Sequence, residues 1–331
     1  MYLSSQKWNE FYERMERKAS SLIDPATGLV SRRFVESIVC PLCASPSFRP
    51  RVRKHGFTYV ECNECSFVYL NPQLTQGAIR DVYNDRDLRE FFFKELLLPH
   101  VERDQRSEFE GRLGQLQTLV QVPNPKLLDI GCAAGLFLSL AENHRFRGEG
   151  LELNELYIDY IKTHRPVTVH RKLLEGMQYP DSWFDVVTLW DVLEHLPKPV
   201  ETLREAARVL TRGGILALTT INHACINERL LKERWRYYMP PDHLCSFSPA
   251  LLTWVLNRSG FAVVGIQHQY MFEVLADHYF RFLIPSPGSG FLGTSLNKVK
   301  KLLYLVLALS SQAFFRVLRK GDLLTVYARK S

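Results

Sequence analysis

The sequence predicts an α/β chain: a seven-stranded, doubly wound sheet with helices on both faces, preceded by a small four-cysteine module and a helical linker. Three observations predict it. From Lys126 onward, short apolar runs alternate with helix-period segments, as parallel strands joined by crossover helices require. The first such run, Lys126-Leu-Leu-Asp-Ile-Gly-Cys-Ala-Ala-Gly-Leu-Phe137, ends in an acid and a glycine-bracketed turn before an apolar helix. An open sheet builds a ligand crevice in this way at a strand's carboxyl end. Finally, Cys40-Pro-Leu-Cys43 and Cys62-Asn-Glu-Cys65 stand as two close pairs in an otherwise ordinary globular composition, 46% hydrophobic and 23% charged over 331 residues.

Taken in order, residues 1–37 are polar, with Trp8, Phe11, Tyr12 and Met15 at helical spacing, and predict an N-terminal helical segment. Residues 38–75 carry the cysteine pairs and strand-like runs such as Phe57-Thr-Tyr-Val-Glu61. Residues 76–125 are helical and charged, broken at Pro99, with Pro123 and Pro125 setting off the large unit, 126–331. Its strands are expected at 126–130, 148–152, 167–170, 184–190, 214–220, 261–268 and 323–329. Helices are expected near 135–144, 154–164, 199–210 and 249–258. The last has Ser248 as N-cap, Pro249 at the first helical position and Gly260 to close it.

A net charge of +7 favours anionic partners without naming one, and solvated lysines account for it equally well. The first ten residues contain no apolar signal core, and seven cysteines, four in close pairs, suit a reducing compartment with a metal site. The expected location is cytoplasmic.

In the glycine turn, Gly131 and Gly135 allow tight turning, while the third glycine of a dinucleotide fingerprint is missing, so no phosphate cradle is required. A second strand ends in Glu152, 23 residues after Asp129, where a carboxylate can accept both ribose hydroxyls of a nucleoside. These residues resemble motif I and its sequel in the class I S-adenosylmethionine-dependent methyltransferases. Tyr179-Pro-Asp-Ser-Trp-Phe-Asp-Val-Val-Thr-Leu-Trp-Asp-Val-Leu-Glu-His-Leu-Pro197 is similar to that family's fourth-strand segment. Ala207-Arg-Val-Leu-Thr-Arg-Gly-Gly-Ile-Leu-Ala-Leu218 is similar to its helix, glycine pair and fifth strand. The resemblance, which covers about 126–221 and is closest to the type 11/23 and ubiquinone O-methyltransferase groups, implies a Rossmann-like methyltransferase sheet binding S-adenosylmethionine. It implies cofactor contacts from Asp129, Gly131, Cys132, Ala133, Gly135, Phe137, Glu152, Leu153, Trp190 and Asp191. Where many relatives carry an acid near the adenine, this chain has Leu173-Leu174, so apolar walls and backbone amides are expected there instead.

Methyl transfer to a hydroxyl needs alignment and a base. Trp235-Arg-Tyr-Tyr-Met-Pro-Pro-Asp-His-Leu-Cys-Ser-Phe-Ser248 follows the fifth strand and resembles the acceptor loop of ubiquinone-type and glycan-cluster methyltransferases. His243 is the expected base, with His195 and Asp191 as further catalytic candidates; bracing the loop is the competing role for His243. Tyr237, Tyr238 and Trp235 line an acceptor wall or pack the lid. The Asn/Asp-Pro-Pro-Tyr of exocyclic-amine methylation and the cysteine motif of cytosine C5 methylation are both missing.

Two C-x2-C knuckles 18 residues apart match a structural zinc ribbon with Cys40, Cys43, Cys62 and Cys65 as ligands. The ribbon followed by Val68-Tyr-Leu-Asn-Pro72 resembles the N-terminal module of surface-glycan and natural-product methyltransferases, and a related ribbon precedes ribosomal RNA guanine methyltransferases. The expected acceptor is therefore a glycan, sugar-nucleotide or lipid-like small molecule, with methylation of a hydroxyl preferred to a carbon. RNA is the alternative, with Phe57, Tyr59 and Phe67 either stacking on bases or, as is commoner, forming the ribbon's own small core. An apolar insertion, 270–321, contains the uncharged run 302–315 between clusters of lysine and arginine. It either packs over the sheet or makes a peripheral contact through 296–320 with the inner face of a membrane.

Overall fold

The structure, a computed structural model, describes residues 2–270 and 321–331. The predicted run 302–315 and the membrane-contact segment 296–320 lie outside the described residues. Among the described residues no helix is long and apolar enough to cross a membrane.

Helix α1 (Tyr2–Ser20) turns Phe11 and Met15 inward, as their four-residue spacing dictates. Strands β1 (Ile23–Asp24) and β2 (Leu29–Val30) form a short hairpin. After β3 (Val35–Glu36) come the ribbon strands β4 (Phe48–Lys54), β5 (Phe57–Cys62) and β6 (Val68–Leu70), and β7 (Gln73–Leu74) returns to pair with β3. The linker is α2 (Gln76–Tyr83), α3 (Arg86–Phe91), a π-helix over Phe92–Val101 and α4 (Glu102–Leu119). Thr75 and Asp85 cap α2 and α3 by accepting from Ala78 N–H and Leu88 N–H. The break expected at Pro99 takes the form of wide π turns, one way of accommodating the missing proline N–H.

The large unit runs β8 (Lys126–Ile130), α5 (Leu136–Asn143), β9 (Arg147–Leu151), α6 (Glu155–His164), β10 (Thr168–His170), α7 (Leu174–Met177), β11 (Phe184–Trp190), α8 (Pro199–Val209) and β12 (Leu210–Ile221). There follow α9 (Ile226–Leu231), β13 (Cys245–Ser246), α10 (Pro249–Arg258), β14 (Phe261–Gln269) and β15 (Leu323–Lys330). The seven-stranded sheet has the order β10-β9-β8-β11-β12-β15-β14, with β15 antiparallel to both neighbours. β8 and β11 are parallel neighbours at which the order of strand addition reverses, β9 and β10 lying to one side and β12 to the other, so the crevice for a ligand opens at their carboxyl ends. β11 is buried along almost its whole length, as a central parallel strand covered on both faces must be.

Strand β12 starts at Leu210, four residues before the expected start at 214. The glycine pair lies inside the strand, where the pairing with β11 jumps between Phe184↔Leu210 and Val186↔Ile215. A Cβ on Gly214 would sit 2.9 Å from the Thr211 carbonyl oxygen and 3.0 Å from that of Asp185, so the irregularity needs glycine there.

The ribbon is not sealed on itself. β13 completes its sheet, pairing Cys245 with Tyr69 and Ser246 with Val68, in the order β13-β6-β5-β4. Phe57, Tyr59 and Phe67 are all at most 1% exposed. This corrects the expectation of base stacking on these rings: burial leaves them no free face.

Candidate active site

At the end of β8 the chain turns through Gly131 at φ 71°, where a Cβ would lie 2.6 Å from Val192 Cγ2. The amides of Gly131 and Cys132 both donate to the Leu151 carbonyl, tying the turn to β9. Ala133 also has positive φ, 46°, a conformation that costs an L-residue energy. Its N–H donates to Glu152 Oε2 at 3.1 Å. Glu152 Oε1 accepts from Tyr83 Oη (2.7 Å), Leu153 N–H (2.7 Å) and Asn154 N–H (2.8 Å). Oε1 is thus saturated and Oε2 keeps acceptor capacity. Burial raises the Glu152 pKa, against the pull of these donors. Asp129 accepts from Thr188 Oγ1 at 2.7 Å, and burial pushes its carboxyl up to about 7.

Arg112 of α4 enters the same region although it is only 7% exposed. Its guanidinium lies 4.4 Å from the centre of the Trp190 ring and pairs with Glu108 at 2.6 Å, and its charge acts on both Asp129 and Asp191. Arg112 Nε, Trp190 Nε1 and Asp191 Oδ1 are buried polar atoms without a hydrogen-bond partner. Asp191 itself has φ 55° and a pKa raised by burial. Each orphan carries a desolvation penalty, and a guanidinium beside two carboxylates offers the charges that the carboxylate and ammonium of a zwitterionic ligand would pair with.

On the other side of the mouth, His243 Nδ1 faces the Tyr237 carbonyl at 2.8 Å and His195 Nδ1 faces the Asp242 carbonyl at 2.9 Å. A carbonyl only accepts, so both Nδ1 atoms carry a hydrogen, and a neutral His243 ring keeps its lone pair on Nε2. The two rings meet edge to face at 4.8 Å. Burial, and then the neighbouring His195, lowers the His243 pKa to about 4, so the ring is neutral at physiological pH. Glu194 accepts from Thr220 Oγ1 at 2.9 Å, and burial raises it to about 7. One ligand atom each from Glu194, His195 and His243 lie within 4.8 Å of one another, close enough to share a proton or a divalent cation. Asp242 binds Arg89 at 2.6 Å. Burial alone would raise its pKa, but the charges of Arg89 and His195 hold it well below the usual carboxylate range.

The four cysteine sulfurs also lie within 4.8 Å of one another, with Cys40–Cys65 and Cys43–Cys62 each at 3.5 Å. Tetrahedral zinc with Zn–S near 2.3 Å needs sulfurs about 3.8 Å apart. Tyr69 supplies a second observation. Its hydroxyl is buried without a partner, and burial and then the four cysteines push its phenol well up. A phenol O–H beside thiolates suits a zinc-bound set, where sulfur can accept it.

Among the predicted residues, Gly131, Cys132, Ala133, Gly135, Glu152 and Leu153 assemble around the turn, with the Cys132 side chain filling the space that Gly150 leaves open. Phe137, 2% exposed, stacks edge to face on Phe109 and Trp190 beneath the turn. Leu173 and Leu174 separate: Leu173 is 57% exposed, while Leu174 is 1% exposed in the core. Phe137 and Leu174 are thus packed into the core, whereas Leu173 is open to solvent. Tyr83, Arg89, Arg112 and Glu194 were not foreseen. Arg112 had a signal, a charge amid Phe109, Leu113 and Leu116 on one helix face; Tyr83 had none.

A family profile described as a methyltransferase domain matches residues 97–266. The ubiquinone biosynthesis O-methyltransferase of Caulobacter sp. strain K31 is 29% identical over 182 residues, which cover 47% of this chain and 66% of that protein. The enzyme of the same name from Coxiella burnetii (strain Dugway 5J108-111) is 27% identical over 116 residues, 34% of this chain and 50% of its own. The chain thus spans between half and just under two thirds of these relatives' lengths. A solved S-adenosylmethionine-dependent methyltransferase from Archaeoglobus fulgidus aligns over 68% of this chain and 94% of its own, with 20% identity and a TM-score of 0.47.

Proposed function

The chain belongs to the methyltransferase-domain family, as a class I, S-adenosylmethionine-dependent enzyme, and from that premise we propose that it methylates a hydroxyl oxygen of a glycan, sugar-nucleotide or lipid-like small molecule. The observation that carries the hydroxyl reading is His243: a buried, neutral imidazole whose Nδ1 is occupied by a carbonyl, leaving Nε2 to accept a proton at the crevice mouth. The ubiquinone O-methyltransferases among the relatives bear names for the same bond type.

S-adenosylmethionine, when bound, supplies a methyl group already activated on a sulfonium sulfur. The protein's own part is holding, aligning and moving one proton. Glu152 would accept from the ribose hydroxyls through Oε2, and through Oε1 once Tyr83 yields its place. The helix start after Gly135 and the Arg112 guanidinium suit a carboxylate, while Asp129 and Asp191 offset an ammonium. His243 would take the acceptor's hydroxyl proton on Nε2 as that oxygen bonds to the methyl carbon and the carbon–sulfur bond breaks, its electron pair going to sulfur to leave a neutral thioether. Asp242, fixed by Arg89, holds His195 beside it. Cys40, Cys43, Cys62 and Cys65 are proposed to hold a structural zinc ion, all four positions being filled by protein.

The test is transfer of radiolabelled methyl from S-adenosylmethionine into an extract separated into lipid, glycan, RNA and protein pools. Label in the glycan or lipid pool, lost in His243→Ala, is expected. Label confined to RNA would sink the acceptor class, and undiminished transfer by His243→Ala would sink the base.

A further inference from the structure

Tyr59 belongs to the cysteine ribbon, yet its hydroxyl donates to the backbone carbonyl of His243 at 2.8 Å. It is 1% exposed, and its ring packs on Tyr238 with centres 4.7 Å apart. Further ties run the same way. Leu70 N–H donates to the Leu244 carbonyl at 2.9 Å, and β6 pairs with β13 directly after it. Arg51 on β4 reaches Glu228 Oε1 at 2.9 Å and Tyr238 Oη at 3.1 Å. The ribbon therefore grips the loop on both sides of His243 and at His243 itself. Within the loop, the His243 amide donates to the Met239 carbonyl and Nδ1 donates to that of Tyr237, so the loop's path sets the direction of the ring.

We infer that Tyr59 is a positioning residue for methyl transfer: through its hydroxyl the ribbon fixes the loop that aims the His243 imidazole at the acceptor. This inference rests on the reading of His243 as proton acceptor. The ribbon is then part of the reaction's machinery and not only an attached fold. Replacing Tyr59 by phenylalanine keeps the packing on Tyr238 but leaves a carbonyl in the loop without its donor, so the loop must shift to find another. Small displacements of a reacting group from its alignment are costly in rate. Were the ring only core filling, phenylalanine would do the same work.

The experiment compares full-length wild type with Tyr59→Phe. The readouts are kcat and KM for labelled S-adenosylmethionine with the active extract pool, S-adenosylhomocysteine affinity by calorimetry, and the His243 Cε1–H resonance by NMR. The expected result is a kcat about ten- to hundredfold lower, with KM for the methyl donor and S-adenosylhomocysteine affinity within about twofold. The His243 resonance should be displaced while those of the distant His144, His164 and His170 hold. Unchanged kcat with an unmoved resonance in folded Tyr59→Phe overturns the inference. Should Tyr59→Phe not fold, Arg51→Gln, which cuts another ribbon-to-loop tie, is held to the same two outcomes. If His243→Ala retains transfer, the proton-acceptor reading has failed. Tyr59→Phe would then move the resonance without lowering kcat, and the positioning role falls with that reading.

Discussion

The proposed cofactor side of the site comes mainly from two adjacent parallel strands and the turns at their ends: Asp129 to Gly135 after β8, and Glu152 after β9. The proposed acceptor side draws on four separated stretches: Tyr59 and Leu70 in the ribbon, Arg89 in the linker, Glu194 and His195 after β11, and Tyr237 to Ser246 beyond β12. The difference is one of construction. A turn whose backbone amides do the binding is specified by a few neighbouring residues, glycine above all. A ring that must be aimed needs walls, and the walls come from wherever the fold brings chain together.

His243→Ala is the most severe way to separate the two halves. Removing a general base costs about 10²–10⁴-fold in rate. Transfer should fall by that factor while S-adenosylhomocysteine affinity, measured by calorimetry, stays within about twofold. A parallel loss of cofactor affinity would show that the halves are not independent.

Glu152→Ala probes the other half. Loss of two hydrogen bonds to a carboxylate should weaken S-adenosylhomocysteine binding by about 10²–10³-fold, again by calorimetry. Tyr83→Phe should act with the opposite sign, tightening binding about threefold, because it frees an acceptor position on Oε1. Equal losses in both variants would mean that Tyr83 stays on Glu152 in the complex.

Two buried groups, one beside the Ser246 end of the acceptor side and one in the cofactor turn, should also respond to pH with opposite signs. His223, 5% exposed and donating to or accepting from Ser246 Oγ, has its pKa lowered to about 3 by burial and then by Arg51. Between about pH 6.5 and 3 the unfolded chain binds a proton there that the folded chain refuses. Stability is therefore full above the unfolded value and declines as pH falls through that window, by an amount on the order of a few kcal/mol. Urea melts at pH 7 and pH 5 should show the decline, and His223→Gln should flatten it. Asp129, raised to about 7, works the other way: the folded state keeps its proton between about pH 3.8 and 7, so ionising it opposes folding as pH rises. Cofactor binding that favours the ionised form should therefore release a proton near neutrality, seen as a dependence of the calorimetric enthalpy on buffer.

Much of the sheet was legible because its central strands carry apolar runs between turn residues; β8, β11 and α10 fall where their sequences place them. The glycine turn and Glu152 were legible for the same local reason. Arg112 was half-legible, as a charge on an apolar helix face. Tyr83 and Tyr59 were not. Their partners lie 69 and 184 residues away, and no local pattern encodes which distant carboxylate or carbonyl a tyrosine hydroxyl will meet. The pairing of β13 with β6 was hidden likewise, since two residues of strand carry no periodicity.

The smallest effect tests whether the cofactor turn is as self-sufficient as its locality suggests. Ala133 holds φ 46° between two glycines that also have positive φ, and its N–H serves Glu152. A left-handed alanine costs about 1–2 kcal/mol relative to its preferred conformation, whereas glycine there is unstrained but gives up about 0.5–1 kcal/mol more chain entropy on folding. Ala133→Gly should therefore stabilise the fold slightly, by up to about 1 kcal/mol in urea melts, and leave S-adenosylhomocysteine affinity within about twofold. A destabilised variant would mean that the turn is held open by its surroundings, so that alanine's stiffness there helps to keep the Glu152 contact. The cofactor half would then depend on distant packing as the acceptor half does, and the contrast between them would narrow.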